Sequence, residues 1–185
     1  MSHFLLRDMQ GNYLIIIIQE NLTQIRVLSG QKYLYSAHHL EGTIDIDKLI
    51  ISFFAREFNL QIGFRTAQGL RTEIGSVVEQ QTVSEIKVRS RVIGSEISGV
   101  GIQEVSVSDS QIRNAISGYV TNLAKEVNSV VKQFNLLNNT TSGDSKILLR
   151  GNGSSLKGLD KRLQGETGLP VILSYDGQET FRKTL

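Results

Sequence analysis

The sequence predicts an α/β fold: a mixed sheet flanked by helices, with a smaller lobe inserted in it. Three observations carry that prediction. Short β-branched runs separated by tight turns fill residues 13–36. The apolar period then lengthens from two residues to about 3.6 over residues 45–59. Strand-like and helix-like segments alternate from there to the end of the chain.

Residues 13–18 read YLIIII, a short continuous apolar run, which predicts a strand buried on both faces. A turn at residues 21–23 leads to an alternating strand at 24–28. Ser29-Gly30 turns the chain again into a third strand at 32–36, completing an antiparallel meander. Ile46, Leu49, Ile50, Phe53 and Phe54 then share one helical face, so residues 45–59 read as a helix with that stripe in the core. Thr43 or Asp45 suits its cap. Residues 66–74 read as a short helix containing Gly69, which costs about 1 kcal/mol relative to alanine.

In residues 86–92, Ile86, Val88 and Val92 point to one face and Lys87, Arg89 and Arg91 to the other. The expected partner strand is 102–107. The basic face suits phosphate or an acidic protein surface. The simpler reading is a solvated strand face that resists aggregation. Ser108 and Gln111 have the spacing of a capping box. Behind them, Ile112, Ala115, Ile116, Tyr119, Leu123, Val127, Val130, Val131 and Phe134 trace the longest helix. After a polar loop at 135–145 come a strand at 146–150, a glycine turn at 151–155 and a helix at 156–164. Gly168 and Pro170 close that helix. A strand at 171–173 and a helix at 176–185 complete the expectation.

Composition narrows the chemistry. The 185 residues are 39% hydrophobic and 21% charged, as in globular proteins. There is no cysteine, which excludes disulfides, thiolate nucleophiles and iron–sulfur clusters. A net charge of +2 gives nucleic acid no privileged place as a partner. The run from Leu14 to Ile18 is far short of the roughly 20 residues of a spanning helix. Residues 1–10 carry Asp8 and lack a signal-peptide core. The expected location is the cytoplasm, with no direct membrane insertion. His3, His38 and His39 are the only histidines, and neighbours on a strand point to opposite faces, so no metal site is expected. Asp45 and Asp47 open a helix, where capping and the helix dipole account for them. No catalytic residue emerges. Residues 148–153, LLRGNG, run a strand into a glycine turn before a helix. Such a turn can present backbone N–H groups to a ligand. It can also simply close a strand–helix connection.

In order along the chain, several segments resemble the second domain of a bacterial actin of the MreB type. Residues 58–67, FNLQIGFRTA, resemble the family's YNLLIGERTA stretch, and Glu73-Ile74-Gly75-Ser76 continues it. Residues 148–160, LLRGNGSSLKGLD, resemble the family's adenosine loop, and ETGLPV at 166–171 matches the segment after it. The resemblance implies an actin-like (ribonuclease H-like) ATPase domain II. Residues 10–60 and 108–185 would form the larger lobe and 61–107 the smaller inserted one. The family's first domain, with its own phosphate loop, has no expected counterpart here.

The resemblance also assigns site residues. The family's second phosphate loop, DIGGGTT, reads Ile17-Ile18-Gln19-Glu20-Asn21-Leu22-Thr23 here. The acid that organises Mg²⁺ has become Ile17, the three glycines have become Gln19, Glu20 and Asn21, and Thr23 remains. Glu20 would place negative charge beside phosphate, the opposite of what the chemistry needs. Gly151 and Gly153 keep two of three adenosine-loop glycines, with Asn152 between them. Arg71 stands at the family's adenosine-side lysine and Gln68 at an acid. Gly151, Asn152, Gly153, Arg71, Gln68 and Thr23 therefore form a degenerate nucleotide site. No cofactor is required, and binding of ATP with Mg²⁺ is expected to be weak or lost.

The expected function is that of a non-catalytic actin-like protein of the cell-shape cytoskeleton, partnered by a bacterial actin filament or by its own copies. One alternative is the ATP-binding half of an ATPase completed by a partner chain. Another is weak binding of acidic surfaces or nucleic acid by Lys87, Arg89 and Arg91, with a log–log salt slope of only about −3. Residues 14–18 or nearby strands, covered by the first domain in the family, are expected to need a partner or a dimer.

Overall fold

The structure, a computed structural model, describes residues 11–30, 32–39, 41–94, 101–138 and 145–174. The elements begin with strands β1 (Asn12–Ile18), β2 (Thr23–Ser29) and β3 (Lys32–His39). Helix α1 (Thr43–Phe58), strand β4 (Leu60–Gln61) and helix α2 (Phe64–Glu73) follow. Strands β5 (Glu85–Val92) and β6 (Ile102–Ser108) lead into the long helix α3 (Asp109–Asn138). The chain then forms β7 (Ser145–Arg150), a short 3-10 turn (Asn152–Ser155), α4 (Leu159–Thr167) and β8 (Val171–Ser174). The α/β reading with a mixed sheet therefore holds. The expected closing helix at 176–185, the centre of the polar loop and His3 lie outside the described residues.

Two compact units emerge. The first comprises Met1–Thr43, Asn122–Ser155 and Asp160–Leu185; the second comprises Ile44–Thr121 and Leu156–Leu159. These bounds differ from the lobes drawn from the sequence, since α1 from Ile44 onward and the first half of α3 belong to the second unit.

The first unit holds a five-stranded sheet of order β3-β2-β1-β7-β8. β1, β2 and β3 run antiparallel, whereas β7 pairs in parallel with β1 and β8 in parallel with β7. This register explains the apolar run at 13–18. Leu14 lies between Val27 and Ile147, and Ile16 between Ile25 and Leu149; all six are buried. On the other face Ile15, Leu28 and Leu148 form a second cluster, with Tyr13, Ile17 and Ile172 packed against it. A central strand with both faces covered needs apolar residues at every position. The expectation that residues 14–18 await a partner is thereby corrected: Leu14, Ile15, Ile16 and Ile18 are buried within the chain and Ile17 is half-buried.

The second unit holds a three-stranded antiparallel sheet of order β4-β5-β6. Lys87, Arg89 and Arg91 are exposed and Val88 is buried, as the alternation predicted. Helix α1 buries Ile46, Ile50, Phe53 and Phe54. Its ring pairs Phe53–Phe54, Phe53–Phe58 and Phe54–Phe58 are spaced at 5.7, 5.6 and 5.3 Å. Leu49 departs from the expected stripe and is 37% exposed. At about 100° per residue it sits on the rim of the apolar arc that Ile46, Ile50 and Phe53 centre. The helix stops at Asn59, whose φ of 55° is left-handed, a conformation asparagine tolerates better than most residues. The capping box forms reciprocally: Ser108 N–H donates to Gln111 Oε1 at 2.9 Å, and Gln111 N–H donates to Ser108 Oγ at 3.3 Å.

Candidate functional site

β1 and β7 run side by side in parallel, and two turns leave their C-terminal ends. Open α/β sheets commonly bind ligands at such ends. The turn after β1 is closed by Gln19 N–H donating to Leu22 O at 2.9 Å. Gln19 O accepts Thr43 N–H, also at 2.9 Å, which ties the turn to the start of α1. Gly42 is required there: a Cβ would lie 2.4 Å from Glu20 O and 2.6 Å from Gln19 O. Gln19, Glu20 and Asn21 are all exposed at the tip. Thr23, by contrast, is buried, and its hydroxyl donates to Glu41 O at 2.8 Å.

The turn after β7 is shaped by Gly151, whose φ is +84°. Ser154 holds it closed, its N–H and its Oγ both donating to Gly151 O, at 3.0 and 2.7 Å. Asn152 is exposed, and its carbonyl accepts Ser155 Oγ at 2.8 Å. Both glycines are pressed against the end of β1. A Cβ on Gly151 would come within 2.3 Å of Ile18 O. A Cβ on Gly153 would come within 2.2 Å of Ile18 Cγ2 and 3.2 Å of Thr43 Cγ2. The first unit thus brings Gly151, Asn152, Gly153 and Thr23 to one end of its sheet.

Arg71 and Gln68 lie on α2 in the second unit. Gln68 is exposed and its carbonyl accepts the Thr72 hydroxyl at 3.0 Å. Arg71 is buried. Its Nε donates to Asp47 Oδ1 at 2.7 Å and its Nη2 to Asp47 Oδ2 at 3.4 Å. Both side chains are more than nine-tenths buried. Capping and the helix dipole, expected to account for both Asp45 and Asp47, do not describe Asp47, the buried partner of Arg71. Asp45 stays in the first turn and pairs with Lys48 at 2.9 Å. The sequence carries a signal for the buried pair. Arg71 interrupts an apolar stripe of Ala67, Leu70 and Ile74, and Asp47 falls beside Phe54 on the helical wheel. A charge on an apolar stripe requires a partner of opposite sign.

His38 and His39 stand opposite Gln24 and Thr23 in the β2–β3 register. Among the described residues no group of three or more His, Asp or Glu side chains is placed to hold a metal ion. Among them, too, no helix is long and apolar enough to cross a membrane.

A profile of the MreB/Mbl protein family matches residues 6–182. The chain belongs to the MreB/Mbl family. The cell shape-determining protein MreB of Escherichia coli strain K12 is 26% identical over 163 residues, covering 88% of this chain and 46% of that protein. Among solved structures, MreB5 of Spiroplasma citri bound to ADP superposes with a TM-score of 0.77 at 23% identity, over 94% of this chain and 51% of that one. The MamK double helical filament superposes with a TM-score of 0.66 at 16% identity, over 91% of this chain and 50% of that one. These likenesses establish the actin-like fold. This MreB/Mbl-family chain spans about half the length of the curated relatives it matches.

Proposed function

We propose that this chain is a non-catalytic MreB/Mbl-family protein. It acts in the cell-shape cytoskeleton by joining an actin-like filament or by associating with its own copies. One observation carries the proposal: the turn after β1. In the position of the family's phosphate loop stand three exposed residues, Gln19, Glu20 and Asn21, none of them cationic. The one hydroxyl retained from that loop, on Thr23, is given to Glu41 O. These residues do not fit a phosphate group, which takes backbone N–H donors and positive charge. The adenosine-side match at Arg71 has its guanidinium committed to Asp47. The actin-like fold persists around these changes, and the relatives include a cell shape-determining protein and a filament.

The alternative of an ATP-binding half draws on Gly151 and Gly153. Their fit against Ile18 accounts for both glycines without a ligand. The acidic-surface alternative draws on Lys87, Arg89 and Arg91. Glu104 stands opposite Arg89 and lies 3.5 Å from Lys87, which weakens the attraction of that face for anions.

Co-sedimentation with polymerised bacterial actin tests the proposal. The expected result is pelleting with the filament, or assembly of the chain into polymers of its own. Absence of both rejects it. No phosphate release is expected when the chain is mixed with candidate first-domain chains and ATP; sustained turnover would move the assignment to the completed ATPase.

A further inference from the structure

A sheet edge left open is a template for another strand, and among the described residues three of the four sheet edges are blunted. β4 has two residues and β8 has four. The pairing that carries β3 shifts register between Val27 and Leu28. β6 is the exception. Its seven residues, IQEVSVS, pair with β5 in unbroken register. It contains no proline, lysine or arginine, and Glu104 is its only charge. Ile102, Gln103, Glu104 and Ser106 are exposed. Among the described residues no backbone hydrogen bond reaches its outer edge.

We propose that this edge is a self-association surface, on which β6 of a second copy pairs antiparallel across a two-fold axis at Val105. The inference rests on the self-association reading and names its surface. A row of free N–H and C=O groups selects an extended strand, and β6 itself has the matching length. A two-fold contact uses the same strand on both copies and closes at two subunits. Charge picks the register. With Val105 facing its counterpart, all seven residues pair and Glu104 faces the partner's Ser106. Sliding two residues one way sets the two Glu104 carboxylates face to face, which is destabilising. Sliding two residues the other way shortens the ladder. A slip of one residue turns the buried face outward.

The chain's lack of cysteine makes the test direct. Facing Cα atoms in an antiparallel pair are about 4.5–5.5 Å apart, within disulfide reach. Val105→Cys in the full chain should therefore form a disulfide dimer under mild oxidation. Val83→Cys, at a residue that is 68% exposed, should stay monomeric under the same conditions. Ser106→Glu supplies a second test that spares the fold, because Ser106 lies opposite Lys87 within the chain. Across the two-fold it sets the new carboxylate against Glu104 twice, and sedimentation equilibrium should show a dimer weakened by about 2- to 30-fold. The exchanged pair Glu104→Ser with Ser106→Glu should restore it. Cross-linking of Val105→Cys no faster than Val83→Cys, or a dimer indifferent to Ser106→Glu, overturns the proposal. So does capture of an extended peptide of another protein by β6 with no homodimer formed. Filament co-sedimentation that persists without a β6 cross-link overturns this surface and leaves the cytoskeletal reading standing. A β6 dimer that neither pellets with filaments nor polymerises supports the surface and rejects that reading.

Discussion

Replacing Gly151 with alanine separates a glycine kept by packing from one kept by a ligand. Two costs can be worked from the structure. The φ of +84° lies in the left-handed region, where a side chain costs about 1–2 kcal/mol. The new Cβ would also sit 2.3 Å from Ile18 O and 2.9 Å from its carbonyl carbon. Ile18 is fully buried at the end of a strand bonded on both sides, so its backbone has nowhere to retreat. Overpacking of this kind costs about 1–3 kcal/mol. Together the loss is about 2–5 kcal/mol, which lowers the melting temperature of a chain of this size by roughly 4–20 °C. Gly118 provides the control. It lies within α3 with nothing near its would-be Cβ, so Gly118→Ala should gain about 0.5–1 kcal/mol. Circular-dichroism melts and urea titrations of the ligand-free chain measure both. A Gly151→Ala variant that melts at or above the parent temperature refutes the packing account and returns the turn to ligand binding.

Removing Arg71 should leave Asp47 buried and uncompensated. Arg71→Met is expected to lose about 3–5 kcal/mol in urea unfolding, and Asp47→Leu with Arg71→Met less than the sum of the singles. Ser108→Ala should cost about 1 kcal/mol. Part of that loss should be shared with Gln111→Ala in a double-mutant cycle, because the two residues cap one another. Millimolar Mg-ATP should leave the melting temperature unchanged within about 1 °C, whereas a ligand at 100 times its dissociation constant would stabilise by about 2.7 kcal/mol. A clear upward shift would restore the nucleotide site.

Local patterns carried much of the fold into view. The capping box at Ser108 and the alternation at residues 86–92 depend only on neighbours along the chain, and both stand as expected. The family segments were legible for the same reason, because each is a contiguous stretch. Less visible was the pairing of Asp47 with Arg71. They are 24 residues apart, and capping supplied a sufficient local explanation for Asp47. Leu49 misled because a helical wheel assigns its rim residues only once a neighbour is placed.

The sequence by itself determined the α/β class and, apart from the two-residue β4, the order of the elements among the described residues, since these rest on periodicity and residue type; the changes at residues 17 and 19–21 were legible through the family resemblance. Only the tertiary structure decided that both faces of β1 are covered, that Gly151 and Gly153 pack against Ile18 and that, among the described residues, no strand pairs with the outer edge of β6. Those facts depend on which segments distant in the chain come within a few ångströms of each other, a distance that no local pattern encodes.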